Sequence, residues 1–191
     1  MTSNNQQTDQ ASINHAIHIL QQGGIIAYPT EAVFGLGCLA NKPQSIEKLL
    51  KLKQRPIDKG LILLAAEFSQ FEDYIEPLDD SILHKIQSSW PGPTTWVVPA
   101  RAEISPLIRG KFSSIAIRIS AHPIVQALCR QCQSPIISTS ANISGQNMTY
   151  NTSQVRLQFK EQLDYILEGA LGDSHKPSII KDAISNKIIR S

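Results

Sequence analysis

Apolar residues recur at helical spacing early in the chain: Ile13, Ala16, Ile17 and Leu20 share one face of a helix expected over 12–22, and Gly23-Gly24 supplies its stop. The next apolar run, IIAY at 25–28, is too short for a helix and predicts a buried strand that ends at Pro29. Ile46, Leu49 and Leu50 mark a second helix, opening at Pro43 and running out near Lys53, because the residue before Pro56 is biased away from helix. LILLA at 61–65 predicts another strand. Beyond a segment of mixed character, a helix near 79–89 runs into the rigid turn WPGP, and TTWVVPA and SIAIRIS read as strands. A helix near 122–132, the strand PIIS, a helix near 152–162 and the strand-like DYILEG, SIIKDA and KIIR complete the pattern. Helices alternating with short strands predict an α/β fold with a mixed sheet.

Composition narrows this to one globular unit. The chain has 191 residues, 41% hydrophobic and 18% charged, enough for one sizeable core. Residues 1–11 read as a polar, flexible tail and 12–191 as a single domain. The opening MTSNNQQTDQ has no basic region followed by an apolar run, and no apolar stretch approaches the roughly 20 residues of a membrane helix, so a cytoplasmic protein is expected. Three cysteines argue against a disulfide framework, and Cys129-x-x-Cys132 ends a predicted helix with Cys38 as the one other thiol, short of a zinc set. His84, His122 and His175 show no metal-ligand spacing, so no protein-held metal is expected. A net charge of +2 permits nucleotide or nucleic-acid partners only where cations cluster.

They cluster in KLKQRPIDKG, which sets Lys51, Lys53 and Arg55 at alternate positions before Pro56 and adds Lys59. One reading is a solvated basic helix end that complements the helix dipole. The other is an extended segment with Lys53 and Arg55 on one side as a phosphate clamp. Three further polar segments, PTEAVFGLG, WPGPTT and STSANISG, could converge with it in a crevice at the strand ends. FGLG lacks the three-glycine dinucleotide fingerprint, and there is no G-x-x-x-x-G-K-[ST]; a turn requirement accounts for Gly35 and Gly37. The hydroxyls and amide of STSANISG suit hydrogen bonds to a polar ligand or a capped turn, and no base accompanies them for covalent catalysis. Arg118 interrupts an apolar strand, so it either pairs with an internal acid such as Glu31 or meets a ligand anion.

Taken together and in this order, YPTEAVFGLG, KLKQRP, PGPTT, AIRIS, STSAN with SG, PSIIKD and the final KIIR resemble the YrdC family in its short bacterial form. The resemblance implies a twisted mixed parallel and antiparallel sheet with surrounding helices around a large basic cavity. It implies a nucleotidyltransferase that condenses L-threonine, bicarbonate or CO2 and ATP into threonylcarbamoyl-AMP and pyrophosphate for tRNA modification. Mg2+ would be bound through the phosphates, and RNA or tRNA and other threonylcarbamoylation enzymes would be partners. By similarity, Lys53 and Arg55 act on the triphosphate as catalytic residues; Lys51, Ser140, Asn142 and Arg190 join them at ATP; and Thr30, Glu31, Arg118, Ser138 and Ser178 hold threonine. This chain departs from the family pattern at Ala32, Lys59-Gly60, Leu64 and Ile179. The competing reading is a non-catalytic protein that binds double-stranded RNA or tRNA in the same basic cavity.

Overall fold

The structure is a computed structural model that describes residues 9–174 and 177–190. Helix α1 (Gln10–Gln21) starts where the Asp9 carboxylate accepts a hydrogen bond from the Ser12 amide at 2.7 Å, satisfying one of the donors that a helix leaves open in its first turn. That cap draws Gln10 and Ala11 into the helix, so the tail expected over 1–11 is shorter; residues 1–8 lie outside the described residues.

Strands β1 (Ile26–Pro29) and β2 (Phe34–Leu39) pair antiparallel, and β2 is buried along its whole length. This corrects the expectation that FGLG belongs to a polar loop. Its glycines make room instead of turning the chain. A Cβ on Gly37 would come within 2.9 Å of the Tyr28 ring and 2.6 Å of the Ile137 carbonyl oxygen, and a Cβ on Gly35 within 3.3 Å of the same ring. Glycine in a strand interior often marks such a close approach.

The remaining elements are α2 (Pro43–Leu52), β3 (Ile62–Ala65), α3 (Asp80–Gln87), β4 (Thr94–Pro99), α4 (Pro106–Arg109), β5 (Ser114–Ile119), α5 (Pro123–Cys132), β6 (Ile136–Ser140), α6 (Thr152–Phe159), β7 (Tyr165–Ile166), β8 (Ile179–Asp182) and β9 (Ile188–Arg190). The strands form one mixed sheet in the order β7-β1-β2-β6-β3-β5-β4-β8-β9, parallel at β1/β7, β3/β5 and β4/β8 and antiparallel at the other contacts. The short α4 carries no pattern strong enough to be read from sequence. The predicted helix over 152–162 stops at Phe159, because Lys160 takes a left-handed φ of +50°.

The two faces of the sheet are covered differently. Leu36, Leu63, Trp96, Ile117 and Ile137 pack against Ile46 and Leu49 of α2, Ile86 of α3 and Phe159 of α6. On the other face, Ile26, Tyr28, Leu64 and Ile136 meet Ile13, Ala16 and Leu20 of α1 and Val125 and Leu128 of α5. Helices α1 and α5 cover part of that second face. Farther along it, Ile62, Ala116, Arg118, Ser138 and Ser140 line a cavity.

Gly37→Ala is expected to lower stability by about 1–3 kcal/mol, the usual cost of forcing a methyl into a filled site, and a shift of the urea midpoint measures it.

Candidate active site

The cavity has a volume of about 520 Å3 and takes walls from most of the sheet and from the segments around Arg55 and Arg109. Its described lining carries five cations, Arg55, Lys59, Arg109, Arg118 and Arg190, against the carboxylates Glu31 and Asp182. Asp182 is occupied at the β8–β9 turn, where its Oδ1 accepts hydrogen bonds from the amides of Ile184 and Ser185. Burial, and then the neighbouring Arg190, pull the Arg55 guanidinium below its usual range; burial and then Arg118 do the same to Arg190. Arg190 is thus close enough to Arg55 and Arg118 for their charges to interact.

The KLKQRP segment divides its cations. Lys53 closes α2 in helical geometry and Gln54 takes a left-handed φ of +52°, so the expected extended alternation is broken and Lys53 and Arg55 part company. The Lys53 ammonium turns inward, 3% exposed, and donates to the Ser140 carbonyl at 2.6 Å, the Asn142 carbonyl at 2.7 Å and Asn142 Oδ1 at 3.2 Å. Its own carbonyl accepts from the Ser144 amide at 3.0 Å. Burial first, and then Arg55, lower its pKa to about 8, which leaves it mostly charged near neutrality. Lys53 thus ties the end of α2 to the STSANISG loop and is not among the cavity-lining residues. Lys51 is exposed and also lies outside that lining. Arg55 does reach the cavity, with Nε and Nη2 donating to the Gly60 carbonyl at 3.1 and 2.9 Å.

Arg118 answers the choice that its sequence position left open. Its Nη2 donates to Glu31 Oε2 at 3.1 Å, with side-chain exposures of 9% and 13%. The other carboxylate oxygen accepts from Ser120 Oγ at 2.7 Å and the Ala121 amide at 3.0 Å. Burial pushes the Glu31 carboxyl up, but Arg118, the Ser120 hydroxyl and backbone amides outweigh it and hold it below the usual carboxylate range. Glu31 is accordingly an ionised anchor for Arg118. Both residues line the cavity, so the arginine is paired and still faces the space a ligand would enter. His122 stands behind them: burial lowers its pKa, and its Nε2 lies 3.1 Å from the Ala170 carbonyl.

The remaining sequence-predicted residues separate by strand. Thr30, Ser138, Ser140, Ser178 and Arg190 line the cavity. The Thr30 hydroxyl donates to the Val33 carbonyl at 2.7 Å and closes the turn between β1 and β2. The Arg190 Nη2 donates to the Ser178 carbonyl at 2.9 Å, joining β9 to the entry of β8. Asn142, expected at the nucleotide, lies outside the lining, because its amide donates to the carbonyls of Ile143 and Gln146 and its Oδ1 accepts from Lys53. Sequence reasoning missed Arg109, Phe112, Asp182 and Ile189 in the wall. The alternation in SIIKDA, which places Ser178, Ile180 and Asp182 on one side of β8, was a signal for Asp182. Cys38, Cys129 and Cys132 are free thiols whose pKa values burial raises, to about 11 for Cys132, so all three stay protonated. Among the described residues no group of three or more His, Cys, Asp or Glu is placed to hold a metal, and no helix is long and apolar enough to cross a membrane. His175 lies outside the described residues.

Residues 18–191 match the sequence model of the Sua5/YciO/YrdC family, described as telomere recombination. The chain belongs to this family. It is 50% identical over 181 residues to the threonylcarbamoyl-AMP synthase of Photobacterium profundum, covering 94% of this chain and 98% of that one. Its fold matches Escherichia coli YciO with a TM-score of 0.83 at 26% identity, over 96% of this chain and 90% of that one. It also matches Pyrococcus abyssi Sua5 in complex with L-threonine, with a TM-score of 0.85 at 29% identity over 91% of this chain. The match spans about half of that longer protein, 51%. Three of the departures from the Sua5/YciO/YrdC pattern, Ala32, Lys59-Gly60 and Leu64, lie in the cavity wall; Leu64 pairs with Arg118 across β3 and β5, and the fourth, Ile179, is outside the lining.

Lys53→Met removes the charged donor shared by the buried oxygens of Asn142 and should cost about 3 kcal/mol in urea unfolding. Glu31 gives a pH signature. Its folded pKa is depressed, so the unfolded chain binds more protons and the pair's contribution is complete above the unfolded value of about 4.3 and lost as pH falls through the lower folded value. Glu31→Gln should be less stable than the parent by about 3 kcal/mol at pH 7, with a shallower loss on acidification, as followed by thermal melts from neutral to acidic pH.

Proposed function

We propose that this chain is an L-threonylcarbamoyladenylate synthase, condensing L-threonine, bicarbonate or CO2 and ATP into threonylcarbamoyl-AMP and pyrophosphate. The observation that carries the reading is the gathering of Arg55, Arg190 and Arg118 in the lining of one cavity. Such a site gains most from a polyanion entering it, and charge-assisted contacts of arginine with phosphate or carboxylate are the strong ones. Threonylcarbamoyl-AMP synthases at 45–50% identity support the choice of reaction, and the Sua5 complex supports threonine as the amino acid.

The chemistry asks for little from the protein beyond position and charge. The amine of threonine and CO2 form a carbamate with loss of a proton. A carbamate oxygen then bonds to the α-phosphorus of ATP, the bond from that phosphorus to its bridging oxygen breaks, and pyrophosphate leaves with the electron pair. The nucleophile belongs to the substrate, which agrees with a described lining rich in arginines and serine hydroxyls. In this reading Arg55 and Arg190 take the phosphates and Arg118, held by Glu31, takes the threonine carboxylate. Ser140 serves the nucleotide side, and Thr30, Ser138 and Ser178 border the amino acid. Phe112, Met148 and Ile189, each at least a third exposed and all in the lining, offer apolar surface to a base. Lys53 contributes through the loop that it ties.

Glu31 serves Arg118 and Asp182 serves its turn, so Mg2+ would enter on the phosphates of the substrate and would supply neutralisation of the triphosphate charge. The product serves tRNA modification in the cytoplasm, and the labile adenylate calls for an acceptor enzyme and tRNA as downstream partners.

Pyrophosphate release from ATP should require both threonine and bicarbonate, and a colorimetric pyrophosphate assay with single omissions checks it. A rate unchanged without threonine would sink the proposal.

A further inference from the structure

Tyr28 is a large polar side chain with no place in the scheme above. It is fully buried at the boundary where the α1/α5 core gives way to the cavity floor. Its ring lies flat on β2, against Gly35 and Gly37, in a space that a Cβ on either residue would invade. Its hydroxyl lies 2.9 Å from Ser138 Oγ, the one partner described for it. Burial raises its pKa far above neutrality, so it remains a phenol with a proton to donate.

Ser138 is nine-tenths buried and lines the cavity. A serine hydroxyl has one proton and two lone pairs. Among the described residues the phenol proton has no other acceptor, and donated to Ser138 Oγ it occupies one lone pair, which turns the Ser138 proton away from Tyr28. Among the described residues no acceptor takes that proton, so it is directed into the cavity.

We propose that Tyr28 is a positioning residue that fixes the Ser138 hydroxyl as a hydrogen-bond donor to the amino-acid substrate, with Gly35 and Gly37 as the shelf that holds its ring. This rests on the synthase reading for the identity of the substrate, while the orientation of the hydroxyl is independent of it. Tyr28 touches no substrate. Without its phenol, Ser138 can rotate and form other bonds, and binding of threonine weakens while the transfer step keeps its groups.

The test compares Y28F, S138A and the double variant with the parent in steady-state pyrophosphate release. Y28F should raise the threonine KM by about five- to tenfold, with kcat within about twofold and the ATP KM unchanged. The double variant should match S138A alone, because the phenol acts through that hydroxyl. A Y28F threonine KM equal to the parent's, factors that multiply in the double variant, or a shift confined to the ATP KM would each overturn the assignment. A purely structural role would lower melting temperature and active fraction without producing that KM-against-kcat split. The proton NMR spectrum of the protein alone separates this proposal from the function it builds on. The Tyr28 hydroxyl proton should exchange slowly, vanish in Y28F and move in S138A. If it stays in place in S138A, the orientation argument fails even in an active synthase. If Y28F and S138A show the expected resonance changes yet the parent releases no pyrophosphate, the synthase reading fails and the orientation stands.

Discussion

The site depends on the Lys53 ammonium. One buried cation collects oxygens from Ser140 and Asn142, and the backbone of the same residue receives the Ser144 amide. These contacts join the end of α2 to the loop that follows β6, elements 87 and 89 residues apart in the chain. A charge placed so deeply would be costly alone, but several oxygen acceptors in good geometry offset its desolvation. Once the loop is held, Ser140 is presented to the cavity. The left-handed turn at Gln54 sends the next cation, Arg55, to the cavity itself. Two cations two residues apart therefore take different places, one inside the scaffold and one in the cavity wall.

A second constraint comes from charge in the wall. Arg118 sits on a central strand between apolar neighbours, where an unpaired guanidinium would be unfavourable, and Glu31, in the turn after β1, removes that penalty. Glu31 in turn accepts hydrogen bonds from the Ser120 hydroxyl and the Ala121 amide, so the pair is anchored to the segment after β5. The excess of guanidinium over carboxylate is left to Arg55, Arg109 and Arg190, all in the cavity lining. A wall of this kind stores the attraction that a polyphosphate or carboxylate ligand would satisfy.

Most of the architecture was legible in the pattern of apolar positions. The helices at Gln10–Gln21, Pro43–Leu52 and Pro123–Cys132 and the strands around Ile26, Leu63, Ile117 and Ile137 follow from periodicity and from proline and glycine punctuation. The clearest failure was FGLG: glycines usually signal a turn, and nothing local distinguishes those that make room for a ring from another strand. The candidate site was legible as a set of segments, and Arg55, Arg118, Glu31, Ser138, Ser140, Ser178, Thr30 and Arg190 do meet at one cavity. The family resemblance groups Lys51, Lys53 and Asn142 with them at ATP, and the structure places all three outside the cavity lining, with Lys53 and Asn142 bonded to one another, because motif spacing does not report the direction in which a side chain leaves the chain.

The amino-acid sequence by itself determined the α/β class, the membership of the Sua5/YciO/YrdC family and the residue types available for a phosphate and carboxylate site, since these depend on local periodicity and on motifs a few residues long. Only the tertiary structure decided which cations line the cavity, that Glu31 is a partner for Arg118, and that the Tyr28 phenol reaches Ser138 across 110 residues. Those outcomes depend on burial and on contacts between distant strands. Whether a lysine becomes a clamp or a strut is set by the oxygens that folding brings to it.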